Sequence, residues 1–264
     1  MEKNNTSEEK FNRIFNVTLM LLMAAVILFI TVTNYTRAGD LRDRLLLLAA
    51  AGASLCGVAS TILSANARIA NFFFGIINVV IYGAVCFFKG NYGSGAINLL
   101  YFLPMQFIGL ISWRRRGGGG KKQVNARRLD GEGRLLYSLL FLAGTVAAYF
   151  ILCIVKADEG MTVAEVFLSP QGSLRTLRWV IVVDAIATVG NFIGQYLLST
   201  ARMEQWIFWI AVNVSSVIMW TLTALADVEA GVNASLAAVY VAKYFFYLIN
   251  AVNGLRIWLK LSRK

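Results

Sequence analysis

The sequence predicts an all-α polytopic membrane protein of eight transmembrane helices: a seven-helix core built as a parallel 3+1+3 repeat, preceded by an extra N-terminal helix. Three observations lead there. Of 264 residues, 58% are hydrophobic and only 15% charged, which is too apolar for a surface that must stay wet. The apolar residues fall in continuous runs such as Leu45 to Ala53, whereas a transmembrane β-barrel alternates apolar and polar residues in short segments. Eight such runs approach the roughly 20 helical residues that a bilayer core requires.

Residues 1–44 hold an N-terminal cytoplasmic segment and the extra helix, at 14–32. That run follows Lys3, Lys10 and Arg13 as the core of a signal peptide would. It is longer than such a core, and Thr33-Asn34-Tyr35-Thr36-Arg37 has no small-residue cleavage pattern, so a spanning helix is expected. Residues 45–113 supply the first three-helix repeat, with spans at 45–65, 70–88 and 95–113. Residues 114–134 set two basic clusters around Gly117 to Gly120, the composition of a flexible connector. A linker helix at 135–155 and its loop fill 135–177, and residues 178–264 carry spans at 178–200, 205–225 and 234–259 before a basic tail.

The formal net charge of +11 has no folded soluble face to sit on, which argues against nucleic acid as a partner. It orients the bundle instead. Seventeen Lys and Arg fall on the side that holds the N-terminus and seven on the other, so both termini are expected in the cytoplasm. There is no histidine, and Cys56, Cys86 and Cys153 lie in apolar runs without metal-ligand spacing. A zinc site, a His-based triad and a disulfide framework are therefore not expected, nor any catalytic residue, metal or cofactor.

A weak internal repeat flanks the connector. Asn71-Phe72-Phe73-Phe74-Gly75-Ile76-Ile77-Asn78 is matched by Trp206-Ile207-Phe208-Trp209-Ile210-Ala211-Val212-Asn213. Gly109-Leu110-Ile111-Ser112-Trp113 is matched by Gly254-Leu255-Arg256-Ile257-Trp258, each followed by basic charge. Two three-helix units joined by one helix keep the same orientation, and transporters often hold their substrate between such halves.

Polar residues at bilayer depth are costly unless they meet a partner, water or ligand. Asp184, Thr188, Asn191 and Gln195 share one helical face, and Asn71, Gly75, Asn78 and Tyr82 repeat the spacing. Trp206, Trp209, Asn213, Ser216 and Trp220 line another segment; Tyr240, Lys243, Tyr244, Tyr247 and Asn250 mark the last, and Asn98, Tyr101 and Gln106 the fourth, beside Pro104. Amides donate and accept hydrogen bonds without charge, and indole and phenol rings present π-faces, a combination suited to a polar ring compound with hydroxyls. A cationic ring would gain further from cation–π contact. Amides also serve as interhelical glue, and Trp and Tyr as interface anchors, notably Trp113 and Trp258 beside basic residues.

The run Asn191-Phe192-Ile193-Gly194-Gln195-Tyr196-Leu197-Leu198, a short basic turn, Glu204-Gln205-Trp206, and then Trp209 with Asn213 resembles the signature of the PnuC-type nicotinamide riboside transporters. The resemblance covers about residues 45–262; the extra helix, the tetraglycine run and Lys243 lie outside the family pattern. It implies a SWEET-like core, a homotrimer in the bacterial inner membrane, and uptake of nicotinamide riboside by facilitated diffusion with trapping by a cytoplasmic kinase. Carried over by position, Gln195, Trp206, Trp209 and Asn213 become substrate-binding candidates, with Asn78 and Gln106 as weaker ones from the first half; Tyr244 and Tyr247 join them from the last helix. Thiamine, also cationic and aromatic, and riboflavin are the alternative substrates. A retinal-type photoreceptor would use Lys243 but would carry an Asp one turn earlier, where Val239 stands. An intramembrane enzyme would have only Asp184 and Lys243 as charges well inside the spans.

Overall fold

Continuous apolar runs with two prolines in the whole chain leave little to interrupt a helix, and the computed structural model is helical almost throughout the residues it describes: 2–36, 40–88, 92–117, 123–157, 173–229, 231 and 234–263. The elements are α1 (Glu2–Tyr35), α2 (Leu41–Ala65), α3 (Asn71–Phe88), α4 (Tyr92–Ile97), a π-helical turn (Asn98–Phe102), α5 (Leu103–Arg115), α6 (Gly131–Ala157), α7 (Ser173–Ser199), α8 (Gln205–Glu229) and α9 (Ser235–Leu261). Among the described residues, seven segments are long and apolar enough to cross a membrane: parts of α1, α2, α3, the α4–α5 stretch from Ser94 to Arg115, and α6, α7 and α8. The expected eighth segment, 234–259, forms the 27-residue α9, which is not among those seven.

The fourth apolar run is broken where a single helix is expected. Pro104 has no N–H to give the carbonyl of Leu100, and the Leu103 N–H bonds instead to the carbonyl of Asn98, five residues back. The helix therefore widens for one turn over Asn98–Phe102 before α5 resumes.

The chain divides into two units, Met1–Asn125 with Ser199–Ala201 and Arg256–Lys264, and Ala126–Leu198 with Arg202–Leu255. In the first, α3 zips against α4 and α5 by glycines that receive side chains from the facing helix. A Cβ built on Gly95 would lie 2.7 Å from Phe87, on Gly83 2.9 Å from Leu99, on Gly75 2.5 Å from Gln106 and on Gly109 2.2 Å from Phe72. Small residues let membrane helices approach this closely, and dispersion replaces the hydrophobic driving force that lipid does not supply. Phe72 then meets Trp113 edge-on at 4.9 Å, and Trp113 meets Trp258 at 5.4 Å, whose indole N–H donates to the Ser64 carbonyl at 3.0 Å. These two tryptophans are fully buried, so the anchor role at the membrane interface does not describe them. The extra helix α1 is tied to this unit by polar residues at its start: Asn16 donates to Asn66 at 3.0 Å, and Arg256 donates to Asn12 while lying over the Phe11 ring at 5.5 Å.

In the second unit α6 runs antiparallel to α7, pairing Tyr137 with Tyr196, Gly144 with Val189 and Cys153 with Ile181. Its outer face, including Leu135, Leu139, Leu142, Val146 and Ile154, stays exposed, as a lipid-facing helix requires.

The same turn construction precedes α3 and α8. Ala67 and Ala201 both take the left-handed conformation, at φ 55° and 56°, and the following Arg68 and Arg202 N–H groups reach back to Leu63 and Leu197 carbonyls at 2.9 and 2.8 Å. The connector is fixed against these turns. Val124 N–H donates to Ala67 at 3.0 Å in the first unit; in the second, Met203 N–H donates to Arg127 at 2.8 Å, Leu129 N–H to the buried Glu204 carboxylate at 3.0 Å, and the Arg202 guanidinium to Arg128 at 2.7 Å. The expected flexible stretch is thus held from Gln123 to Asp130, while the 118–122 part of the connector and the 158–172 part of the linker loop lie outside the described residues.

Candidate functional site

The second unit gathers six of the eight predicted site residues. α7 brings Gln195, α8 brings Trp206, Trp209 and Asn213, and α9 brings Tyr244 and Tyr247. The helices meet closely because glycines stand opposite the large rings. A Cβ on Gly194 would lie 3.1 Å from the Trp209 indole, one on Gly190 2.7 Å from Val212, and one on Gly254 2.6 Å from Trp206. Between α8 and α9 the pairs are Trp206 with Gly254, Ser216 hydrogen-bonded to Tyr244, and Trp220 stacked on Tyr240 at 4.2 Å and 14°. These pairs are antiparallel, so Asn213 is level with Tyr247.

Each candidate has a distinct standing. Gln195 is buried at 4% exposure, and Trp206 at 3% with its six-membered ring laid over Gly254. Trp206 thus shapes the wall by packing. Trp209 is partly exposed, with its ring beside Gly194. Asn213 gives its amide N–H to the Trp209 carbonyl at 2.8 Å, which leaves its side-chain oxygen as the acceptor on that face. Trp209, Asn213, Ser216 and Trp220 follow at steps of four, three and four residues along one stripe of α8.

The two first-unit candidates lie on α3 and α5. Asn78 donates to the Ala53 carbonyl at 2.7 Å and rests on Gly57, so its amide nitrogen fastens α3 to α2. Gln106 is buried at 5%, lies against Gly75, and its Oε1 has no hydrogen-bond partner among the described residues.

Other buried polar groups stand outside the eight candidates: Asn71 and Asn250 lie on the polar faces the sequence marked, whereas Asn253 was not singled out. Gln205 and Asn71, both fully buried, each stand four residues after the left-handed alanine and donate to the arginine carbonyl of their own turn, at 3.0 and 2.8 Å. Asn253 is buried at 7% on α9, three residues after Asn250 at 2%. The periodicity of Asn250, Asn253 and Gly254 was the available signal. Among the described residues no cluster of acidic or cysteine side chains is built to hold a metal ion. The second unit's assembly of amides, hydroxyls and aromatic rings suits reversible binding of a polar ring compound.

A family model described as nicotinamide mononucleotide transporter matches residues 47–260, so α1 falls outside it. The nicotinamide riboside transporter PnuC of Neisseria mucosa is 26% identical over 217 residues, covering 80% of this chain and 72% of that protein. The protein of the same name from Haemophilus influenzae is 25% identical over 210 residues, covering 80% and 78%, and that from Escherichia coli 23% over 231 residues, covering 80% and 84%. The crystal structure of the vitamin B3 transporter PnuC is similar with a TM-score of 0.60 at 25% identity, covering 96% of this chain and 92% of that one.

Proposed function

The chain belongs to the nicotinamide mononucleotide transporter family, and on that premise we propose that it carries nicotinamide riboside across a bacterial inner membrane by facilitated diffusion. It is a transporter and not an enzyme. The observation that carries the substrate reading is the α8 stripe, where the partly exposed Trp209 lies one helical turn before Asn213, whose amide N–H is given to the Trp209 carbonyl and whose side-chain oxygen has no hydrogen-bond partner among the described residues. A pyridinium ring is attracted to the indole face, and its carboxamide and ribose hydroxyls supply donors for Asn213 and for amides such as Gln195.

The proposal includes eight crossings with α9 as the last, a 3+1+3 repeat whose two turns share the left-handed alanine, assembly as a homotrimer, and trapping of the product by a cytoplasmic kinase. It also places both termini in the cytoplasm, following the charge asymmetry. In a chain whose own three cysteines are replaced, cysteines at Gly118 and Lys264 are expected to resist an impermeant thiol reagent in whole cells. Labelling of either from outside would reverse that orientation.

Trp209→Ala is expected to weaken nicotinamide riboside binding by about 1–2 kcal/mol, roughly 5–30-fold, as a desolvated stacking or cation–π contact is lost. Calorimetric titration of the folded variant checks this, with thiamine and riboflavin as competitors. Unchanged affinity would assign Trp209 to packing against Gly194, and tighter binding of either competitor would reassign the substrate.

A further inference from the structure

The first unit gathers positive charge at one of its ends. Lys10 and Arg13 on α1, Arg114 and Arg115 at the end of α5, and Lys260 and Arg263 at and just beyond the end of α9 are all exposed. Contacts immediately inside these residues bring the three helix ends to one level: Trp113 meets Trp258 at 5.4 Å, and Arg256 donates to Asn12 and lies over the Phe11 ring at 5.5 Å. Among the described residues of this unit the carboxylates are Asp40 and Asp43, at the far end of α2, whose 25 residues span about 37 Å. Glu8 and Glu9, just ahead of Lys10 in the sequence, still leave an excess of cations.

These cations stand where apolar surface begins. The apolar segment of α1 starts at Lys10 and that of the α4–α5 stretch ends at Arg115, and beside them Ile14 and Val17 on α1 and Ile108 and Ile111 on α5 are exposed. A ligand matched to both parts carries negative charge at one end and hydrocarbon at the other. Guanidinium groups hold phosphate oxygens through paired N–H donors, and basic clusters between the ends of membrane helices attract anionic head groups. We propose that this end of the first unit binds an anionic phospholipid of the adjoining leaflet, its phosphate among the basic residues and its acyl chains on the exposed apolar surface of the same helices. The helix α1 lies outside the family match at 47–260, yet it supplies two of the cations and meets α9 through Arg256. A phospholipid bound there bridges α1 to the core helices and holds the extra helix in place, whatever substrate the chain carries.

The test titrates the purified chain in neutral detergent with phosphatidylglycerol or phosphatidylcholine, reading bound lipid by native mass spectrometry and stability by thermal unfolding. Phosphatidylglycerol is expected to bind about tenfold or more tightly than phosphatidylcholine, to raise the melting temperature, and to lose that advantage as salt is added. Lys10→Gln with Arg13→Gln, and separately Arg114→Gln with Arg115→Gln, are each expected to weaken phosphatidylglycerol binding by about tenfold or more. Arg127→Gln with Arg128→Gln makes the same change of charge in the second unit and is expected to leave it unchanged. Equal binding of the two lipids by the wild-type chain overturns the proposal, and that comparison decides it if neither first-unit pair folds. An equal loss in the second-unit pair also overturns it, since attraction to the net charge of the whole chain then suffices. Inorganic phosphate that raises the melting temperature as much as the lipid at equal concentration would make this a site for soluble anions and end the lipid assignment.

Discussion

In liposomes that contain this chain alone, labelled nicotinamide riboside is expected to reach the same concentration on both sides at zero membrane potential, with no enrichment when a proton or sodium gradient is imposed. Ion coupling requires two sites whose occupancies depend on each other, which is a coupling free energy. Asp184 and Lys243 are the charges well inside the predicted spans, and the Trp209–Asn213 stripe is built from uncharged groups. A facilitator needs only two conformations of similar affinity, because a ligand that strongly favoured one would stall the cycle there. The contrast is large: one coupled proton would sustain about tenfold accumulation for each pH unit imposed. Potential must be clamped because the substrate is itself a cation, and 100 mV acts on one charge with about 2.3 kcal/mol. Accumulation that follows the proton gradient and disappears in Asp184→Asn would make Asp184 the coupling residue and end the passive reading.

Gly254→Val is expected to lower stability by about 1–3 kcal/mol or more, because the added atoms enter space that the Trp206 ring fills. A Cβ at this position would lie 2.6 Å from two atoms of the indole, and a ring wedged between two helices cannot swing aside as a flexible chain end could. Removing the ring is costly in the other direction: Trp206→Ala is expected to lose about 3–5 kcal/mol through an unfilled cavity. The double variant Gly254→Val with Trp206→Leu should recover part of both losses, since the two sites share one volume. Thermal unfolding in detergent reads all three. Gly254→Val melting with the wild type would show that α8 and α9 do not meet as described.

How much of this was legible beforehand depends on what kind of information each feature needs. Span positions were legible because bilayer thickness imposes a length and lipid imposes apolarity. The Gly-x-x-x-Trp endings were visible at Gly109 and Gly254, but that each glycine receives a ring from the facing helix, Phe72 and Trp206, depends on pairing that one-dimensional spacing does not contain. Aligning the halves by their strings set Asn71 against Trp206; counted from the left-handed alanines, Asn71 corresponds in position to Gln205 and Phe72 to Trp206. An alanine at positive φ gives no sequence signal, since glycine or asparagine is the residue that announces such a turn. Asn78 shows the other limit. An amide that binds a ligand and one that binds a backbone carbonyl look the same in sequence, and Asn78 donates to Ala53. Trp209 and Asn213 share one face of α8 by the helical period alone, but that α7 sets Gly194 against the Trp209 ring depends on the pairing of two helices and could not be read from either.

The wide turn at Asn98–Phe102 can be understood as a phase correction. It accommodates one residue more than an α-helical turn does, so the stretches on its two sides are out of step by about 100° compared with an unbroken helix. That offset lets Gly95 and Leu99 face Phe87 and Gly83 while Gln106 and Gly109 face Gly75 and Phe72, all on α3. Deleting Leu100, which is 78% exposed, would remove no packed side chain, yet it would rotate α4 out of step with α5 and pull Gly95 from Phe87. At this position the chain is indifferent to which apolar residue is present and sensitive to how many residues there are, so homologous chains aligned here would be told apart by length before identity.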